Sequence, residues 1–149
     1  LHLNQRMISR LKKIEHLGIA VKNMSQANDL YSRLLGVIPY KEELVESEKV
    51  LTSFFKTGES KIELLQGLDE DSPITKFIEK RGEGIHHVAF EVEDIQLEMA
   101  RLKAEGFILL NEHPKKGADH KLICFIHPKS THGVLVELCQ EIKEENDSL

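Results

Sequence analysis

"IEHLGIAV" (residues 14–21) and "IHHVAFEV" (residues 85–92) are two versions of one phrase, each setting a histidine ahead of an alternating apolar run. In the first, Leu17, Ile19 and Val21 fall on one face, and His16, Gly18 and Ala20 on the other. That period of two is a strand with one apolar face. The histidines at 16 and 87 stand 71 residues apart, about half the chain, so the phrase marks an internal repeat rather than a local motif.

The repeat extends outward from both copies. After the first, "NMSQANDLYSRLLG" predicts a helix capped by Ser25, with Ala27, Leu30, Tyr31, Leu34 and Leu35 on one side and Gly36 as terminator. Strands are expected over Tyr40–Val45, Val50–Thr57 and Lys61–Leu65, the last two joined by the turn "GES". After the second copy, a strand over His86–Val92, "EDIQLEMARLKAEG" predicts a helix capped by Asp94, with Ile95, Leu97, Met99 and Leu102 apolar and Gly106 at its end. Strands follow near Phe107–Leu110, Leu122–Ile126 and Gly133–Cys139. Between the halves, "DEDSPITKFIEKRGEG" predicts a short helix after Ser72-Pro73, closed by Gly82 and Gly84.

Each half is therefore β-α-β-β-β, and the fold class is α+β: two βαβββ modules in tandem, about 14–66 and 85–140, with a helical linker at 67–84. Residues 13–140 make one domain. The stretch 1–12, which begins at Leu1 rather than Met, is set aside as an extension expected to be partly foreign to the natural chain. Residues 141–149 form an acidic tail.

Composition narrows the function. A chain of 149 residues, 40% hydrophobic and 30% charged, suits one soluble domain. Its net charge of −5 argues against nucleic-acid binding, which needs a basic field. No apolar run approaches the roughly 18 residues of a membrane span. With no leader pattern, a cytoplasmic protein is expected. Cys124 and Cys139 lack metal-ligand spacing and are expected to be buried, reduced thiols.

Overlaying the halves pairs "KIELL" around Glu63 with "VLVELC" around Glu137. Each half then offers a histidine in its first strand and a glutamate in its last, separated by 47 and 50 residues. Glu137 shares a face with Leu135 and Cys139, whereas Val134, Val136 and Leu138 form an apolar face. A carboxylate among such neighbours is costly to bury without a partner. A divalent cation would supply one: two imidazoles and two carboxylates suit Mn2+, Fe2+, Co2+, Ni2+ or Zn2+. Gly18, Ala20 and Ala89 on the histidine face leave room for a ligand. His86 has the parity of Val88 and Phe90, so it is read as structural or as a support to the ligand His87, on the opposite face.

These residues resemble the vicinal oxygen chelate superfamily, whose members join two βαβββ modules around a metal cleft. Within it the chain is similar to the methylmalonyl-CoA epimerases, from about Lys13 to Gln140. The similarity rests on "IEHLGIAV", on "KIELLQGLDEDSPITKFIEKRGEGIHHVAFEVEDI" with its "DSPI" insertion, and on "FIHPKSTHGVLVELCQ". Other relatives have a shorter Asp-Pro-x-Gly turn where this chain has "HPKSTHGVLVEL". The resemblance implies metal ligands at His16, Glu63, His87 and Glu137, with Co2+ the first expectation and Mn2+, Ni2+ or Zn2+ the alternatives. It also implies methylmalonyl-CoA as substrate and a homodimer.

The implied chemistry is epimerisation between the 2R and 2S forms through an enolate, with proton removal from one face and return on the other. Glu137 is the first candidate base and Glu63 the second, on opposite faces as the repeat allows. Some family members carry glutamine at the position of Glu63 and a glutamate near Thr52, which cannot act as a base. From Glu112 to His132, four lysines oppose two acids, and Lys115, Lys121 and Lys129 are candidates for holding coenzyme A phosphates or the substrate carboxylate. The rival activity is a glyoxalase I-type isomerisation of a hemithioacetal, which a similar His/Glu set would serve. A drug-sequestering protein on this scaffold, or a purely structural dimerising module, leaves the paired ligands without a role.

Overall fold

The computed structural model describes residues 8–143. The first part of the extension and the end of the acidic tail lie outside them. Eight strands and three α-helices alternate in the expected order. They are β1 (Lys13–Ala20), α1 (Met24–Leu35), β2 (Lys41–Val45), β3 (Val50–Thr57), β4 (Ser60–Gly67), α2 (Pro73–Arg81), β5 (Gly84–Glu91), α3 (Ile95–Ala104), β6 (Lys115–Lys116), β7 (Lys121–Ile126) and β8 (Val136–Glu141).

The strands form one sheet in the order β2-β3-β4-β1-β5-β8-β7-β6. β1 and β5, the two copies of the opening phrase, pair antiparallel at its centre. β1 runs parallel to β4 and β5 parallel to β8, so each half repeats the other about the central pair. One face of each half is sealed by a helix. Met24, Ala27, Tyr31 and Leu35 of α1 pack on Val21, Phe55 and Leu64. Ile95, Met99 and Leu102 of α3 pack on Cys124, Ile126, Val136 and Leu138. The opposite face carries the four predicted His and Glu side chains.

Local signals explain most boundaries. Gly36 ends α1 with φ +73°, a left-handed value that glycine takes without steric cost. Ser72 caps α2 with Pro73 at the first turn, and the Asp94 side chain accepts from Leu97 N–H to cap α3.

Three expectations change. Asn23, not Ser25, caps α1, its side chain accepting from Gln26 N–H. Leu30, Leu34 and Leu97 face solvent, because the buried stripes follow positions 24, 27, 31, 35 and 95, 99, 102. Residues 107–110 make only an isolated bridge, Leu109 to Ile126, and the sixth strand lies at 115–116. The ladder along β7 breaks between these stretches, where the Asn111 side chain takes the Phe125 N–H at 3.0 Å and Pro114 has none to offer. The extension also joins the fold: Lys12 N–H donates to Glu91 O at 2.8 Å, and Leu11 packs against the α3 core.

Candidate metal centre and cleft

A cleft opens on the uncovered face of the sheet. His16, Glu63, His87 and Glu137 all line it, each about 95% buried. The pairing register brings them there from four strands: Gly18 of β1 sits beside both Glu63 of β4 and His87 of β5, and Ala89 beside Glu137 of β8. Gly18 is required, since a Cβ there would come within 2.2 Å of the His87 ring.

His16, His87 and Glu137 converge. His16 Nε2 faces His87 Nε2 at 3.0 Å, and Glu137 reaches the same two atoms at 3.8 Å and 3.3 Å. Donor atoms of these three lie within 4.8 Å of one another, a buried His/His/Glu group able to hold a divalent metal ion. Glu63 stands on the other side of the His16 ring, 3.0 Å from Nδ1.

Two further residues enter the site, and the reading by parity alone missed both. Ile14 pairs with Phe90 and His16 with Ala89, so Glu15 is an extra residue in β1. Gly18 pairs with His87 and Ile19 with Ile85, so His86 is an extra residue in β5. These are β-bulges at equivalent positions of the repeat, and a bulge turns a residue off the alternation of its strand. Glu15 is 98% buried and accepts from His16 Nδ1 at 2.9 Å. His86 does not face away from His87, as parity suggests; it lines the cleft, its Nδ1 3.0 Å from His87 Nδ1. A polar residue directly before the histidine in each copy is the only trace of this in the sequence.

Burial and mutual charge set the protonation of the group. Burial pushes Glu63 up to about 8 and Glu137 up to about 7, with His16 pulling the other way. Burial alone would lower His16, but Glu63, Glu15 and Glu137 outweigh it and raise it to about 9. His87 is held well below its ordinary value by burial and by His16 and His86. Two buried imidazoles aimed nitrogen to nitrogen need a proton or a cation between them. The donor set therefore fits a divalent ion, which would replace the His16 proton as the balancing charge.

The three candidate lysines lie elsewhere. Lys115, in β6, ion-pairs with Glu48, which does line the cleft. Lys121 is buried at the start of β7, and Lys129 is exposed on the 3-10 turn Pro128–Ser130. None of the three lines the cleft. A neighbouring depression, sharing His86 and His87 with it, is instead edged by Lys80 and Arg81 of α2.

The family model described as Glyoxalase/Bleomycin resistance protein/Dioxygenase superfamily matches residues 15–125, and the chain belongs to that superfamily. The ethylmalonyl-CoA/methylmalonyl-CoA epimerase of Cereibacter sphaeroides is 41% identical over 136 residues, which cover 90% of this chain and 99% of that one. The crystal structure of methylmalonyl-CoA epimerase from Mycobacterium tuberculosis matches with a TM-score of 0.88 at 31% identity, over 98% of this chain and 99% of that one. A methylmalonyl-CoA epimerase in complex with methylmalonyl-CoA and NH4+ matches with a TM-score of 0.83 at 32% identity, over 88% and 95%. Within the superfamily, the chain is a member of the methylmalonyl-CoA epimerase family.

Proposed function

We propose that this chain is an isomerase interconverting the 2R and 2S epimers of methylmalonyl-CoA with a divalent metal ion. The observation that carries the reading is the buried His16, His87 and Glu137 group at the floor of the cleft, in a member of the epimerase family. His16, His87 and Glu137 would hold the metal where they converge, and Glu63 would complete the set by turning from His16 Nδ1 toward the ion, with Co2+ the first candidate and Mn2+, Ni2+ or Zn2+ the alternatives. The bound ion would polarise the thioester carbonyl and offset the charge that builds on its oxygen as the α-proton leaves.

The protein's own groups handle the proton. Glu137 is the first base: a buried carboxylate lining the cleft beside both imidazoles, placed to take a proton from a bound substrate and return it. Glu63, which lines the cleft on the other side of the His16 ring, is the second, acting from the opposite side. Thr52 lines the cleft but has no basic group. The apolar wall of Val45, Val50, Leu65, Ile74 and Ile123 suits the α-methyl group and limits water at the reacting carbon.

Lys115, Lys121 and Lys129 remain candidates for the coenzyme A phosphates or the substrate carboxylate. Lys115 has the strongest case, because its partner Glu48 borders the cleft. We place the protein in the cytoplasm, where its two buried free cysteines would stay reduced. No described helix is long and apolar enough to cross a membrane. A homodimer is supported by the exposed Leu30 and Leu34 of α1 and Val37 and Ile38 just after it.

The test is deuterium uptake at the α-carbon of methylmalonyl-CoA in heavy water with Co2+-loaded protein, beside a hemithioacetal control. Exchange with the thioester alone is expected. No exchange overturns the epimerase reading, and turnover of the hemithioacetal alone would make the protein a glyoxalase.

A further inference from the structure

The loop "PKKGADHK" (residues 114–121), whose positive charge suggests phosphate binding, is engaged within the fold. At its head, Lys115 pairs with Glu48. Four residues on, Asp119 binds Lys41 Nζ and Lys61 Nζ, each at 2.8 Å, and accepts from Tyr40 Oη at 2.8 Å. The backbone N–H of Asp119 donates to Glu43 at 2.9 Å. The loop belongs to the second module, and every one of these partners to the first. Between the two ties, Gly117 and Ala118 line the cleft.

The segment is shaped to lie there. A Cβ at Gly117 would come within 2.7 Å of Ile123 Cδ1, so glycine allows the chain to rest on β7. Asp119 and His120 take φ values of +57° and +58°, a left-handed conformation that persists in non-glycine residues only where the surroundings hold it. The ties at Asp119 supply that hold.

These ties also reach the metal centre. Lys61 Nζ lies between Asp119 Oδ2 at 2.8 Å and Glu15 Oε2 at 3.1 Å. Glu15 Oε1 in turn accepts from His16 Nδ1 at 2.9 Å, sharing that nitrogen with Glu63 Oε2 at 3.0 Å, which leaves Nε2 aimed at His87 and Glu137. A ligating imidazole is oriented by whatever its second nitrogen binds. We propose that residues 115–119 are a strap joining the modules across the cleft, and that Asp119 is a positioning residue acting through Lys61 and Glu15 on the ring of His16. The inference rests on the metal reading under Proposed function. The strap makes the second module responsible for orienting a ligand on the first.

The experiment uses the whole protein and Co2+ alone, read by calorimetry and by the visible absorption of the bound ion. The variants are Asp119→Asn, Lys61→Met and Lys61→Arg. Asp119→Asn and Lys61→Met are expected to weaken Co2+ binding about 10- to 100-fold and to shift the absorption band. Lys61→Arg keeps a cation between the two carboxylates and is expected to stay within about threefold of the unaltered protein. Unchanged affinity and spectrum in Lys61→Met, or equal losses in Lys61→Met and Lys61→Arg, overturn the positioning role. If Asp119→Asn does not fold, the two Lys61 variants decide. An unaltered protein that binds no Co2+ overturns the metal reading itself, whereas one that binds normally while its variants match it overturns the strap alone.

Discussion

The ring of His87 occupies the space that a side chain at position 18 would fill: a β-carbon on Gly18 would stand 2.2 Å from His87 Cε1 and 2.5 Å from Nδ1. The two residues are paired neighbours on the central strands of the sheet. The missing side chain in one copy of the repeat thus makes room for the imidazole in the other.

Gly18→Ala should therefore displace His87 while leaving the fold intact. Overpacking of this kind costs about 1–3 kcal/mol. The larger effect falls on the metal, with affinity expected to drop at least about tenfold as the His87 nitrogen leaves the cluster. Calorimetric Co2+ titration beside a thermal melt separates the two, and full affinity in the variant would contradict the geometry.

Metal binding should strengthen with pH. In the metal-free protein Glu63 titrates at about 8 and Glu137 at about 7, both above the ordinary 4.5, and His16 at about 9, above 6.5. For each, the folded value is raised, so its contribution to stability is complete below the unfolded value and lost as pH rises through the folded one. The lowered values of His86 and His87 work the other way up to about pH 6.5 and offset the glutamates there, so the metal-free melting temperature should fall between about pH 6.5 and 9, and Co2+, which displaces these protons, should bind more tightly over the same window. Melts with and without Co2+ at several pH values test this, and a flat profile would refute it.

Glu137→Gln and Glu63→Gln should each slow α-proton exchange, and from different starting epimers. Removing a positioned base costs about 10²- to 10⁴-fold. The measurement follows each epimer separately in heavy water under saturating Co2+. Full exchange from both epimers in Glu63→Gln would remove it as a base.

Stability should follow the observed buried stripes. Leu138 is fully buried beneath α3, and Leu138→Ala should cost about 2–5 kcal/mol. Leu97 is 57% exposed, and Leu97→Ala should stay within about 0.5 kcal/mol. Urea denaturation ranks the two, and an equal cost would place Leu97 in the core.

Alternation and repetition made the architecture legible in the chain. The two opening strands, the helices that follow them and the paired glutamates at 63 and 137 are periodic features, carried by residues near one another in sequence. So the modules and the four side chains lining the cleft could be named in advance. The misread leucines on α1 and α3 belong to the same class of signal, since the sheet each helix meets decides which edge of its apolar face is covered.

What the sequence determined by itself was the twofold plan and the candidate ligands, because hydrophobic period and repeat spacing are local properties. Only the tertiary structure decided how those ligands meet. The bulges that turn Glu15 and His86 into the site arise from a register between β1 and β5, strands some 70 residues apart, and register is a property of the pair rather than of either strand. The same holds for Asp119, whose partners at 40, 41 and 61 become neighbours only when the two modules close on each other.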